Sequence, residues 1–213
     1  MSIINIATPR YLEKNKNIDI NYLLVDVSLA FNNSQYPYVD SWLPIIDTNA
    51  FIESFLKKVS SNIPIIAGLC FTDPYRRMNV FCNSLRKLNP LVSGFMNLPS
   101  TSVFSGNFGK DITNSHIGFE SELATFSNSM LPTDYSLALV HNVNQAESFI
   151  NRGFSTLVLS SLNPVFWGSS FECFQDEDVE YLKITYPDVS LLALSYNDRL
   201  SCHAANLDGL IHL

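Results

Sequence analysis

The sequence predicts an α/β fold, and within that class a (β/α)8 TIM barrel lacking the last helix. Short apolar strands alternate with amphipathic helical patterns along the 213 residues, which is typical of parallel strands joined by helices. Eight strand patterns occur, and no helical pattern follows the eighth. Hydrophobic residues make up 46% of the chain, as in globular proteins. We therefore expect a single domain over residues 1–213, with an open doubly wound sheet as the alternative fold.

Each strand is a short apolar run bounded by turn residues. The predicted strands are Ile3–Ile6, Tyr22–Val27, Ile63–Gly68, Leu91–Met96, Ser136–Val140, Thr156–Leu159, Val189–Leu194 and Gly209–Leu213. Helical spacing of apolar residues predicts helices near 47–60, 73–88, 119–129, 143–152, 176–185 and 201–206. Asp73 followed by Pro74 is typical of a helix start. Asn142 or Asn144 is the expected N-cap of the helix at 143–152, and Gly153 suits its C-terminal end.

Composition and charge restrict the partners. The net charge is −7 and the 13 Lys and Arg residues form no dense cluster, so we expect neither nucleic-acid nor membrane binding. No apolar run reaches the roughly 18 residues of a membrane span, and the N-terminus lacks the pattern of a signal peptide. These features predict a cytoplasmic protein. The charged fraction of only 15% and the missing eighth helix predict a homo-oligomer that buries the flank around 210–213.

Polar residues follow the predicted strands, at the edge where α/β barrels bind ligands. The candidates at this edge are Asp26, Thr72, Asp73, Asn97, Ser100, His141, Ser160, Ser195 and Tyr196. We expect His141 to act as general acid or base, with Asp73 and Asn97 orienting a substrate oxygen, and the other six to bind the substrate. A structural histidine at 141 and a purely capping Asp73 remain the alternatives. Separated carboxylates could also hold Mg²⁺, although no spacing requires a metal.

Several catalytic patterns are absent from the sequence. There is no GxGxxG, no P-loop and no GxSxG. No Gly-rich loop follows the seventh or eighth strand, which argues against a phosphorylated substrate bound in the usual way. The four cysteines form no CxxC pair, so we expect reduced thiols that lie mostly in the core, Cys70 among them.

Residues 63–122 carry a family resemblance. The segment contains Pro64, Ala67-Gly68, Thr72-Asp73-Pro74-Tyr75, Gly94, Asn97, Pro99-Ser100, Gly106 and Phe108, followed by Ile117-Gly118-Phe119 and Glu122. This pattern resembles the phosphoenolpyruvate hydrolase-like family, also described as TIM-barrel signal-transduction proteins. The resemblance implies a barrel related to phosphoenolpyruvate mutase-type enzymes. It also implies lyase or hydrolase chemistry on a small 2-oxo acid or enol-type substrate, by cleavage of a bond next to a carbonyl.

Other strand ends depart from the family pattern. The family's Gly-rich turn after the first strand is Ala7-Thr8-Pro9 here, and the Asn-Ser-Gly-Arg-type loop after the second is Asp26-Val27-Ser28-Leu29. Ser160-Ser161-Leu162-Asn163 replaces a His-Met-Gly segment, and Ser195-Tyr196-Asn197-Asp198 replaces Ser-His-Gly-Gly. The replaced residues are those that would bind a phosphorylated or carboxylated substrate. The alternative function is therefore a catalytically inactive barrel that acts as a binding module or partner subunit.

Overall fold

The computed structural model describes residues 4–15, 19–26, 47–98, 111, 114–115, 117–160, 174–196, 199–200 and 207–212. The described strands are β1 Ile4–Ala7, β2 Tyr22–Val25, β3 Ile65–Leu69, β4 Val92–Asn97, β5 Ala138–Val140, β6 Thr156–Leu159, β7 Ser190–Tyr196, β8 Arg199–Leu200 and β9 Gly209–His212. The described helices are α1 Pro9–Lys14, α2 Thr48–Leu56, α3 Met78–Leu88, α4 Phe119–Ser129, α5 Val143–Ile150 and α6 Asp176–Thr185.

Contacts along the chain group into two compact units. The first comprises Met1–Leu23 with Leu137–Leu213, and the second comprises Leu24–Ser136. The prediction of a single domain stays a prediction.

The first unit contains a parallel sheet in the order β1-β9-β7-β6-β5. Its register pairs Val140 with Leu159 and Ser195 with His212. Among the described strands, β8 alone runs antiparallel, against the end of β7. Because the strands are parallel, their carboxyl ends meet at one edge of this sheet.

The second unit is built around β3 and β4, which pair in parallel from Ile66 with Gly94 to Leu69 with Asn97. All five residues of β3 are buried, as expected for a strand covered on both faces. Helix α3 buries Met78, Phe81, Cys82 and Leu85, as its apolar spacing predicts, whereas Leu88 at the same spacing is exposed. Phe71, just beyond β3, packs against Phe126 of α4 with 4.3 Å between ring centroids.

The structure corrects two sequence predictions. The predicted helices did not include residues 9–14, but α1 lies there, because the Thr8 side chain accepts a hydrogen bond from the backbone N–H of Tyr11 and Pro9 occupies the first turn. Asp73 does not begin a helix: α3 begins at Met78, with Arg77 as N-cap. The Asp73 carboxylate instead accepts from the backbone N–H of Tyr75, 2.8 Å away, so this segment forms a local turn.

Other predictions have a simpler outcome. Helix α4 has the predicted bounds, and Asn142 caps α5 by accepting from the backbone N–H of Gln145. Gly153 has a positive φ of 89° just beyond α5, which glycine tolerates best. The helix predicted near 201–206 lies outside the described residues. No helix in the described ranges is long and apolar enough to cross a membrane.

Candidate functional site

The end of β3 is held by an amide side chain from α2. The buried side chain of Asn49 accepts from the backbone N–H of Cys70 at 3.0 Å and donates to the Cys70 carbonyl at 2.9 Å. The same Nδ2 donates to Oδ2 of Asp73 at 2.8 Å. Asn49 therefore fixes both the backbone that leaves the strand and the predicted site residue Asp73. Sequence reasoning missed this residue, because its partners are 21 and 24 positions away.

Asp73 is fully engaged by its neighbours. Besides Asn49, its Oδ2 accepts from Nη1 of Arg76 at 2.5 Å, while Nη2 of Arg76 reaches Asp47 at 2.6 Å. The guanidinium hydrogen bond lowers the pKa of Asp47, and the two carboxylates raise the pKa of Arg76. Both oxygens of Asp73 thus stabilise the loop after β3, in addition to any contact with a ligand.

Thr72 and Cys70 contact each other in the same loop. Oγ1 of Thr72 lies 3.5 Å from Sγ of Cys70. Burial raises the pKa of Cys70, and the negative charges of Glu122 and Asp73 raise it further. The thiol therefore stays protonated at neutral pH, which argues against a cysteine nucleophile here.

The end of β4 carries a buried amide–carboxylate pair. Nδ2 of Asn97 donates to Oε1 of Glu122 at 2.8 Å, and Glu122 has no exposed surface. Glu122 was not among the site residues predicted from the sequence. A signal was available, because Glu122 lies with Leu123 and Phe126 on the buried face of α4, where a carboxylate without a role would be costly.

Asp26 is buried at the end of β2 and lies directly against β3. A Cβ placed on Gly68 would come within 2.8 Å of the Asp26 Cβ and 2.9 Å of Cδ2 of Leu98. Glycine at position 68 is thus required by this close approach. In the second unit, the structure therefore describes Asp26, Thr72, Asp73 and Asn97 at the ends of β2, β3 and β4.

His141 and Ser160 follow neighbouring strands of the first unit. Val140 and Leu159 are register partners, and the backbone N–H of Ser160 donates to the Val140 carbonyl at 3.0 Å. Both side chains are buried, with exposures of 6% and 1%. Among the described residues, Nδ1 of His141 and Oγ of Ser160 find no hydrogen-bond partner. Burial lowers the pKa of His141 to about 4, and a contact with the Ser160 backbone offsets only part of this. The imidazole is therefore neutral at pH 7, and its Nδ1 can accept a hydrogen bond.

Ser195 lies in the same unit, buried near the end of β7, with His212 of β9 as its register partner. Tyr196 is the last residue of β7 and pairs with Arg199 in the antiparallel ladder. Ser100 lies outside the described residues. His212, which was not predicted, stacks on Tyr11 with ring centroids 4.7 Å apart.

The described residues do not fit a magnesium site. No group of three His, Cys, Asp or Glu side chains within them is close enough to hold a metal ion. Asp73 is bonded to Arg76 and Asn49, and Glu122 accepts from Asn97. We therefore assign no chemical step to a metal.

Solved structures share the fold of this chain. Phosphoenolpyruvate phosphomutase from Streptomyces platensis subsp. rosaceus aligns with a TM-score of 0.55 at 10% identity, over 99% of this chain and 76% of that one. A phosphonopyruvate hydrolase solved with oxalate and Mg²⁺ aligns with a TM-score of 0.52 at 10% identity, over 89% and 66%. These are TIM barrels, so the predicted fold class is confirmed.

Sequence comparison identifies the family. The ToMV resistance protein Tm-1(GCR237) of Solanum lycopersicum is 26% identical in an alignment of 136 positions that covers 58% of this chain. The chain spans only 18% of the length of that relative. The model of the family described as phosphoenolpyruvate hydrolase-like matches residues 14–163. The chain therefore belongs to the phosphoenolpyruvate hydrolase-like family.

Proposed function

We propose that this chain binds a small 2-oxo acid or enol-type substrate at the carboxyl ends of its strands and acts on it as a lyase or hydrolase. The observation that carries this proposal is the pair of buried polar atoms without a described partner, Nδ1 of His141 and Oγ of Ser160. A buried polar group left unpaired costs about 1–3 kcal/mol. A ligand that supplies the missing hydrogen bonds would remove that cost.

A small 2-oxo acid has the chemistry to do so. Its carbonyl and carboxylate oxygens accept hydrogen bonds, which the Ser160 hydroxyl can donate. A carboxylate close to His141 would also favour the protonated imidazole, and so raise the low pKa of this residue toward a useful range. The two enzymes with solved structures are named for phosphoenolpyruvate and phosphonopyruvate. The proposal extends this substrate class to the chain.

In the proposed reaction, His141 is the acid–base residue. It takes the proton of the attacking water and returns it to the enolate carbon that is released when the bond next to the carbonyl breaks. Ser160 holds a substrate oxygen. In the second unit, Asp73 and Asn97 hold the loops after β3 and β4 in place through Arg76 and Glu122. Thr72, Ser100, Asp26, Ser195 and Tyr196 stay candidate substrate-binding residues.

The experiment combines binding and turnover. Oxalate, pyruvate, oxaloacetate and phosphonopyruvate are titrated calorimetrically, and the last two are followed by NMR for cleavage. We expect binding of at least one of them, about tenfold weaker in Ser160→Ala, the effect of roughly one hydrogen bond. Ser148→Ala is the matched control, because that hydroxyl bonds only to the Asn144 carbonyl of its own helix. The proposal would be refuted if the wild type bound none of these acids, or if Ser160→Ala and Ser148→Ala bound them equally well.

A binding subunit without catalysis is the second candidate. The engagement of both Asp73 oxygens supports it, since a carboxylate held in this way is poorly placed to orient a substrate. Binding without cleavage of any of these acids, unchanged in His141→Asn, would favour this candidate over the enzyme.

The remaining partner and location assignments stay predictions: a homo-oligomer, no nucleic-acid or membrane partner, and a cytoplasmic location. Light scattering at micromolar concentration tests the first of them, and a monomeric mass would contradict it.

A further inference from the structure

Gln145 makes an unusual contact with the backbone of His141. The N–H of His141 follows the last residue of β5 and donates to Oε1 of Gln145 at 3.0 Å. Both residues are buried, with exposures of 6% and 8%. The acceptor that satisfies this backbone group is therefore a side chain from α5.

The contact is a shifted form of a capping box. In an ordinary box, the side chain at the third helical position reaches back to the N-cap backbone N–H. Helix α6 has this arrangement, because Asp178 accepts from the backbone N–H of Gln175 at 2.9 Å. In α5 the N-cap Asn142 accepts from the N–H of Gln145 at 3.0 Å, as usual. The Gln145 side chain, however, passes the N-cap and reaches His141, one residue further back.

We propose that Gln145 is a positioning residue for His141, holding its backbone so that the ring stays buried beside Ser160. This rests on the proposed function of His141 and Ser160. Two opposed hydrogen bonds close the turn between β5 and α5: the Gln145 N–H donates to Oδ1 of Asn142, and the His141 N–H donates to Oε1 of Gln145. Without the acceptor at 145, the His141 N–H must turn toward water, and the ring moves with it.

The test measures the ligand-free protein. In Gln145→Met, which keeps the length of the side chain but lacks the oxygen, we expect hydrogen exchange of the His141 amide to accelerate at least tenfold. The ring titration should also move by at least one pH unit from about 4 toward 6.5. Gln145→Glu retains an acceptor oxygen and should restore the amide protection. His141→Asn identifies the ring signal among the four histidines.

Asp178→Ala is the matched control, because it removes the ordinary capping box of α6 in the same unit. It should reduce stability and leave the amide exchange and titration of His141 as in the wild type. Unchanged exchange and titration of His141 in Gln145→Met, whatever its stability, would overturn the inference. Failure of the wild type to bind any 2-oxo acid would instead refute the proposed function, and these ligand-free measurements distinguish the two.

Discussion

The buried histidine predicts a specific loss of stability in acid. The pKa of His141 is about 4 in the folded chain, against an ordinary value of 6.5, because burial disfavours the charged ring. Between these values the unfolded chain binds a proton that the folded chain does not. The titration of His141 therefore lowers the free energy of unfolding as the pH falls from 6.5 toward 4, and the full stability is present above pH 6.5.

The size of the effect follows from the two pKa values. Each pH unit between about 4 and 6.5 changes the free energy of unfolding by at most about 1.36 kcal/mol, so the whole interval gives about 3 kcal/mol. Solvent screening reduces this free energy only slightly, because His141 is only 6% exposed. The loss is nearly complete at pH 4.

Urea unfolding of the wild type and His141→Gln measures this contribution between pH 4 and 7.5. Other groups titrate in both proteins, so the informative quantity is the difference between their free energies of unfolding. We expect that difference to favour the wild type by about 3 kcal/mol more at pH 7.5 than at pH 4. Ser148→Ala changes no titrating group and should follow the wild type. A difference that does not vary with pH would refute the assignment of His141 as a buried neutral ring.

Three further predictions concern packing and charge in the second unit and a turn in the first. A Cβ on Gly94 would lie 1.9 Å from the Tyr135 carbonyl oxygen, so Gly94→Ala should cost about 3 kcal/mol or more. Gly153→Ala, at a φ of +89° in open space, should cost only about 1–2 kcal/mol, and equal urea midpoints would contradict this. Asp134→Ala leaves the mostly buried Arg86 without its ion-pair partner and should cost about 3 kcal/mol. If thermal unfolding shows no loss, this ion pair does not stabilise the fold.

Much of the candidate site was predictable, because it lies at the ends of strands. Apolar runs locate β3 to β6 to within one or two residues, and the residue after each run then falls at a strand end. The N-cap Asn142 was equally accessible, since capping is decided within four residues of sequence. Asp73 shows the limit. A helix cap and a local turn begin with the same residues, and the choice depends on Asn49 and Arg76.

The sequence by itself determined the alternation of parallel strands and helices, the family pattern and most of the polar residues at the strand ends. These three features depend on short-range periodicity and on residue types, which can be recognised directly in the sequence. Only the tertiary structure decided which polar groups are already satisfied. Asp73 and Asn97 are bonded to Arg76 and Glu122, whereas Nδ1 of His141 and Oγ of Ser160 have no described partner. Burial and hydrogen bonding between residues distant in sequence arise only when the chain packs, so these properties could not be read from spacing.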